Sequence, residues 1–316
     1  MSISHWRTCF FITLFILAVI CWWIIEQNQL HQTTPHSKPA SSPANMSTTS
    51  ATQKAVSTPP VYSNLVDESS LNQVLEILAT TDLPAENIAN FKRQVQYYYQ
   101  VVGTDQMVGN WSTLASPTYD PYLLKDKWAA KHHYPGYNCR LTAFTLMKNY
   151  YQITTLQTQV PEYLIFDHQT LKENQVDKQE LLNFNNLFPA FATNESTNSA
   201  YQANVITVNL EKQQIYFPES NVKLVRVFLH NNITLNKNDF LLFPGHVGIL
   251  IKQPQQYLFI EKLSFSDPYQ AIIFYSLEQL ATYLLQQYDT SAFEPISAPI
   301  ITINNDILPY SLMKTN

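Results

Sequence analysis

"DFLLFPGHVGILIKQPQQYLFIEKL", residues 239–263, holds three short apolar runs broken by Pro-Gly and by Gln-Pro-Gln-Gln. β-Branched and aromatic residues in runs of this length, separated by turn-forming residues, read as an antiparallel meander. If "QPQQ" is a four-residue loop, Lys252 faces Tyr257 and the pairing places His246 opposite Leu263. Side chains alternate along a strand, so Glu261 projects on the face of His246, one diagonal step away. A slip of one residue would bring Lys262 there instead.

Elements on either side complete an α+β pattern, with helices first and a sheet later. Leu71, Val74, Leu75 and Leu78 recur at helical spacing, as do Ile88, Phe91, Val95, Tyr98 and Val102 after Pro84. Residues 105–137 read as a loop with a short helix around Lys125–Lys131. In the middle, helices are expected from about Lys178 to Leu187 and from about Ser220 to Leu229, with an extended piece around Val205–Leu210. A helix over Leu277–Gln287 and a strand in "PIITI" close the chain.

Before all this stands an apolar stretch, Cys9–Ile25, uncharged and 17 residues long, about the shortest that crosses a bilayer. Arg7 precedes it and Glu26 follows it, so the positive-inside tendency holds the N-terminus in the cytoplasm. "WWIIEQNQL" has no small-residue cleavage site. Residues 1–26 are therefore expected to be an uncleaved signal anchor, and the cytoplasmic membrane is the first expected partner. Residues 27–60 follow as a linker; from 31 to 60 it has no Ile, Leu, Phe, Trp or Tyr and cannot bury enough surface to order itself. The domain from 61 to 316 is then extracytoplasmic, periplasmic or at the cell surface. Its 16 basic and 23 acidic residues offer no basic face for nucleic acid.

Cys139 is the one cysteine of that domain, since Cys9 and Cys21 lie in the apolar stretch. A leftover cysteine in an exported chain is an intermolecular bridge, a packing residue or a reactive thiol. Its surroundings, "YPGYNCRLTAF", favour the last. Pro135 and Gly136 suit a type II turn, Asn138 is a good N-cap, and Leu141, Phe144, Met147 and Tyr151 share a helix face. Cys139 thus falls in a first helical turn, where unpaired N–H groups favour a thiolate.

A cysteine nucleophile needs a base held by a third polar group. Of His132, His133, His168, His230 and His246, only His246 begins a confident strand, between Gly245 and Gly248. Glu261 is the expected third residue, with Asp267 in "SDPYQ" as the alternative. Asn138, Arg140 and Tyr137, flanking the thiol, are candidates for substrate binding or for the oxyanion site. No second ligand pair has metal spacing, and no metal or cofactor is expected.

The order of helix-start cysteine, strand histidine and polar residue on the next strand resembles the papain-like cysteine hydrolases, including NlpC-type cell-wall peptidases. That resemblance implies a papain-like fold and a cysteine hydrolase or acyltransferase acting on an amide, with a cell-wall peptide as substrate. A non-catalytic envelope binding protein on the same fold is the alternative. "YSNLVDESSLNQVLEIL", "YNCRLTAFTL", "FPGHVGIL" and "LFIEKLSFSDPYQAIIF" also resemble a family of bacterial exported proteins, the domain of unknown function 4300 family. This second resemblance implies exported placement and no particular substrate. Its members are often lipoproteins, and the uncleaved helix here departs from that.

Overall fold

The computed structural model describes residues 58–156, 161–232 and 239–309. The expected anchor and nearly all of the linker lie outside them; no described helix is long and apolar enough to cross a membrane.

The described part begins with β1 (Val61–Ser63), α1 (Glu68–Ala79) and α2 (Ala85–Val102). Next come β2 (Ser112–Thr113), α3 (Pro121–Ala129), α4 (Cys139–Met147) and β3 (Gln152–Ile153). Then follow α5 (Ile165–Glu173), α6 (Lys178–Leu187), β4 (Phe191–Thr193), α7 (Ser199–Gln213) and β5 (Ile215–Tyr216). The sheet's long strands are β6 (Val222–Asn231), β7 (Phe240–Lys252), β8 (Tyr257–Lys262) and β9 (Tyr269–Phe274). The described part closes with α8 (Leu277–Tyr288), β10 (Ile300–Ile303) and β11 (Asp306–Ile307).

The main sheet is antiparallel, in the order β11-β10-β6-β7-β8-β9-β1-β2, with β4 added to β7. It is covered on both faces. On one, Leu78, Phe91, Val95, Leu141 and Phe144 pack with Val247, Ile249, Ile251 and Ile260. On the other, α8 lays Leu280, Ala281 and Leu284 over Val227, Leu250, Phe259 and Ile272. Alternation still governs, but both sets are apolar, so the central strands read as unbroken hydrophobic runs.

That double burial explains the first of two corrections. Residues 220–229, expected to be helical, lie largely in β6, the central strand between β10 and β7. A continuous apolar run does not distinguish a buried strand from a buried helix. Residues 205–210, expected to be extended, lie in α7, despite Val205, Ile206 and Val208. Asn198 caps α7 by accepting from Ala200 N (2.9 Å) and Tyr201 N (3.1 Å). Ala203, Ile206 and Leu210 then bury at helical spacing against Phe228 and Leu242. Packing outweighs the weak strand preference of β-branched residues.

A third correction concerns β7. "DFLLF" and "HVGILIK" belong to one strand that runs through Pro244 and Gly245. The β6 register shifts between Val227, which faces His246, and Phe228, which faces Pro244, so Gly245 is the extra residue of a β-bulge. Glycine is required there because a Cβ would run into the Leu229 side chain. At Gly248 a Cβ would overlap the Phe259 ring and lie 3.0 Å from Ile260 O. Gly248→Ala is therefore expected to cost about 1–3 kcal/mol, read as a lower urea midpoint; an unchanged midpoint would contradict this packing.

The expected hairpin register holds. Lys252 pairs with Tyr257, Ile251 with Leu258, Leu250 with Phe259 and Ile249 with Ile260. There the β7–β8 ladder stops, while β8 continues on β9 to Lys262↔Tyr269. On the same edge of β7, β4 pairs only residues 240–242. Residues 243–248 thus have one edge without a strand partner among the described residues, and α4 starts beside it.

Candidate active site

The N-terminus of α4 is locked to that open edge. Gly136 has φ +89°, as the third position of a type II turn requires, and its Cα faces the Trp128 indole so closely that a Cβ would lie 2.9 Å from it. Asn138 caps the helix, accepting from Leu141 N at 3.0 Å, while Thr142 N donates to Asn138 O. These two bonds leave the N–H groups of Cys139 and Arg140 uncommitted to the helix.

Buried Asp167, on α5, is the clasp. It accepts a two-pronged contact from Arg140, Nε at 3.1 Å and Nη2 at 2.8 Å, and a third bond from Asn138 Nδ2 at 2.8 Å. Arg140 Nη1 also reaches Pro244 O at 3.3 Å, stitching α4 to the unpaired edge of β7. The N and C=O of one strand residue point to the same edge, so the N–H that proline lacks costs no ladder bond there. The side chains of Asn138 and Arg140, candidates for substrate binding or the oxyanion site, are thus engaged in holding the helix start. Arg140 still carries its charge beside the thiol. Tyr137 lines an aromatic cavity on the other side of the turn.

Across the gap, the predicted histidine and carboxylate meet. His246 Nε2 lies 2.6 Å from Glu261 Oε2, both residues 0% exposed. Glu261 Oε1 accepts from Gln270 Nε2 (2.8 Å) and from Tyr283 Oη (2.5 Å), so the carboxylate is held at both oxygens. The His246 ring stacks on Tyr288, centroids 4.7 Å apart and planes 17° apart. Its second nitrogen, Nδ1, has no hydrogen-bond partner among the described residues. With Nε2 on Glu261, Nδ1 is the ring nitrogen left for the Cys139 thiol, whose charge couples to that of His246.

The electrostatics follow from this placement. Burial pushes the Cys139 thiol up, but the neighbouring His246 and the charges of His246 and Arg140 outweigh burial and leave it below its ordinary value. Burial pushes His246 down, and the neighbouring Cys139 thiol together with the bonded Glu261 carboxylate carries it up to about 9. The pair is thereby biased toward thiolate and imidazolium. Cys139 is 3% exposed.

The other candidates are placed elsewhere. Asp267, the alternative third residue, accepts from Tyr119 Oη (3.0 Å) and from Ser264 Oγ and belongs to the β8–β9 turn. Lys262 is buried behind that turn, where Nζ donates to Ser264 O, Phe265 O and Asp267 O at 2.9, 3.0 and 2.5 Å. Burial pushes it down to about 7 against the opposing pull of Asp267 and the thiol. His230 is fully used, with Nε2 on Asn194 O and Nδ1 accepting from Ser297 N. Among the described residues no group of three metal-ligating side chains gathers.

Sequence reasoning missed Asp167, Gln270, Tyr283 and Tyr288. Gln270 was reachable, because it directly faces Glu261 in the β8–β9 hairpin. Nothing in the local sequence marks the other three, which arrive through helix packing.

The model of one family, described as a domain of unknown function (DUF4300), matches residues 61–308. No curated protein and no solved structure matches the chain.

Proposed function

The chain belongs to the DUF4300 family, and from that premise we propose that it is a cysteine hydrolase or acyltransferase of papain-like architecture acting on an amide bond. One observation carries the reading: buried His246 is held by Glu261 through Nε2, keeps Nδ1 unpaired, and is coupled in charge to the helix-start thiol of Cys139. Cys139 as thiolate attacks the amide carbon, forming a C–S bond. The oxyanion is received by the uncommitted N–H groups at the start of α4. Imidazolium Nδ1–H then protonates the amine as the C–N bond breaks, leaving a thioester. Water deprotonated by His246 cleaves the thioester and returns the thiol, or an acceptor amine takes water's place.

The sequence of the N-terminal segment supports an enzyme anchored in the cytoplasmic membrane with its domain outside, and a cell-wall peptide as substrate. The second reading, a non-catalytic envelope binding protein, draws on the near-complete burial of Cys139, which must open locally to admit any reagent.

Alkylation of Cys139 against pH separates the two readings. The rate is expected to rise with pH through a midpoint below about 8.5, the value of a free thiol, and that midpoint is expected to climb toward 8.5 in His246→Ala. Amide cleavage, which needs the imidazolium proton, is expected to fall as pH rises through about 9. A folded thiol that resists alkylation, or a His246→Ala profile identical to the parent, would sink the enzyme.

A further inference from the structure

We propose that the cavity on the far side of Tyr137 is a subsite for one pyranose ring of a glycan-bearing substrate. The inference rests on the hydrolase reading for its role, because it assigns the cavity to a substrate of that site. The cavity has a volume of about 210 Å³. A dry cavity of about 150 Å³ accepts benzene, so there is room for a single six-membered ring with polar substituents. It is lined by Tyr97, Tyr98, Trp128, Tyr134, Tyr137 and Tyr269, with His132 packed on the Trp128 ring at a centroid distance of 4.2 Å. Tyr137 and Cys139 are two residues apart, so their Cα atoms lie within about 7 Å.

The lining selects among guests. A cation is disfavoured: no carboxylate lines the cavity, Arg93 stands at its lip, and the Lys262 ammonium already occupies the rings of Tyr98 (4.3 Å) and Tyr269 (5.5 Å). A purely apolar ring would be better met by Phe or Leu. Five of the six walls are tyrosines and none is one of the chain's 17 phenylalanines. The amides of Gln94 and Asn174 complete the lining. Gln94 donates to Thr145 Oγ1 at 3.0 Å, while its buried Oε1 accepts from nothing among the described residues. The hydroxyls of Tyr97 and Tyr98 are bonded to His132 and Ser266 O, so aromatic surface bordered by the two amides is what matches a sugar, whose C–H faces stack and whose hydroxyls bond at the edge.

Saturation-transfer NMR on the full-length protein with N,N′-diacetylchitobiose tests this. Transfer to the ring protons is expected, with a Kd of about 1 mM, a weak single-ring affinity. Tyr97→Ala and Tyr134→Ala should each weaken it about tenfold, an energy of about 1.4 kcal/mol. Tyr97 is 46% exposed, and the indole of Trp128 bonds the backbone of residue 134, so neither change removes a core anchor. No transfer, equal binding by both variants, or preference for phenylalaninamide or tetramethylammonium over the saccharide overturns the subsite. Binding does not involve the thiol. Absent saccharide binding with a reactive Cys139 therefore removes the subsite alone, whereas saccharide binding with an inert Cys139 keeps the sugar site and removes the hydrolase.

Discussion

Glu261→Gln is expected to lower acylation of Cys139 by p-nitrophenyl acetate by about 10²–10⁴-fold, the upper figure being that of the corresponding change in a Ser-His-Asp triad. The reason lies in the two donors on Oε1. Gln270 Nε2 and Tyr283 Oη both point hydrogens at that position, so the amide oxygen of the variant must take it. The amide nitrogen is then left facing His246 Nε2. Nε2 is forced to accept, the ring proton moves to Nδ1, and the nitrogen facing the thiol can no longer take its proton. Stability should change little, because every bond around residue 261 can still be made with the ring in its other tautomer. The pH–rate profile is the readout that a merely structural role would not move: its midpoint should shift up toward that of an ordinary thiol. A variant acylated within threefold of the parent, with an unshifted profile, would show that Glu261 does not orient His246.

Asp167→Ala is expected to be the most destabilising single change at the site, by about 3–5 kcal/mol, the usual consequence of stranding one partner of a buried ion pair. The Asp167 side chain is fully buried and that of Arg140 only 11% exposed, so the guanidinium left behind is poorly compensated by Pro244 O. Asn138 Nδ2 loses its acceptor as well. Urea unfolding measures the loss, and Arg140→Met/Asp167→Leu should recover part of it by removing both charges. A cost under about 1 kcal/mol would contradict the clasp, since that is the range of an exposed pair.

The pairing of His246 with Glu261 was legible because it rests on local rules. A four-residue loop sets the hairpin register, a strand's period of two sets the face, and both survive folding unchanged. The same holds for the start of α4, where the turn and the Asn138 cap depend on backbone preferences of adjacent residues. Residues 205–210 and 220–229 were misread for the opposite reason. Their state depends on what covers them: residues 220–229 lie largely in a strand covered on both faces, which leaves no solvent-facing period to read, whereas residues 205–210 bury only Ile206 and Leu210 while Val208 stays exposed, so packing of one face decides for helix.

Which residues can meet was therefore settled by short-range chemistry within 134–144 and 239–263. How they meet depended on contacts more distant in the chain. Asp167 holds the helix start, the ladder gap at residues 243–248 receives it, and Gln270, Tyr283 and Tyr288 hold the carboxylate and the imidazole. Such contacts join elements through the faces they bury, and burial belongs to the folded chain as a whole, not to any stretch of it.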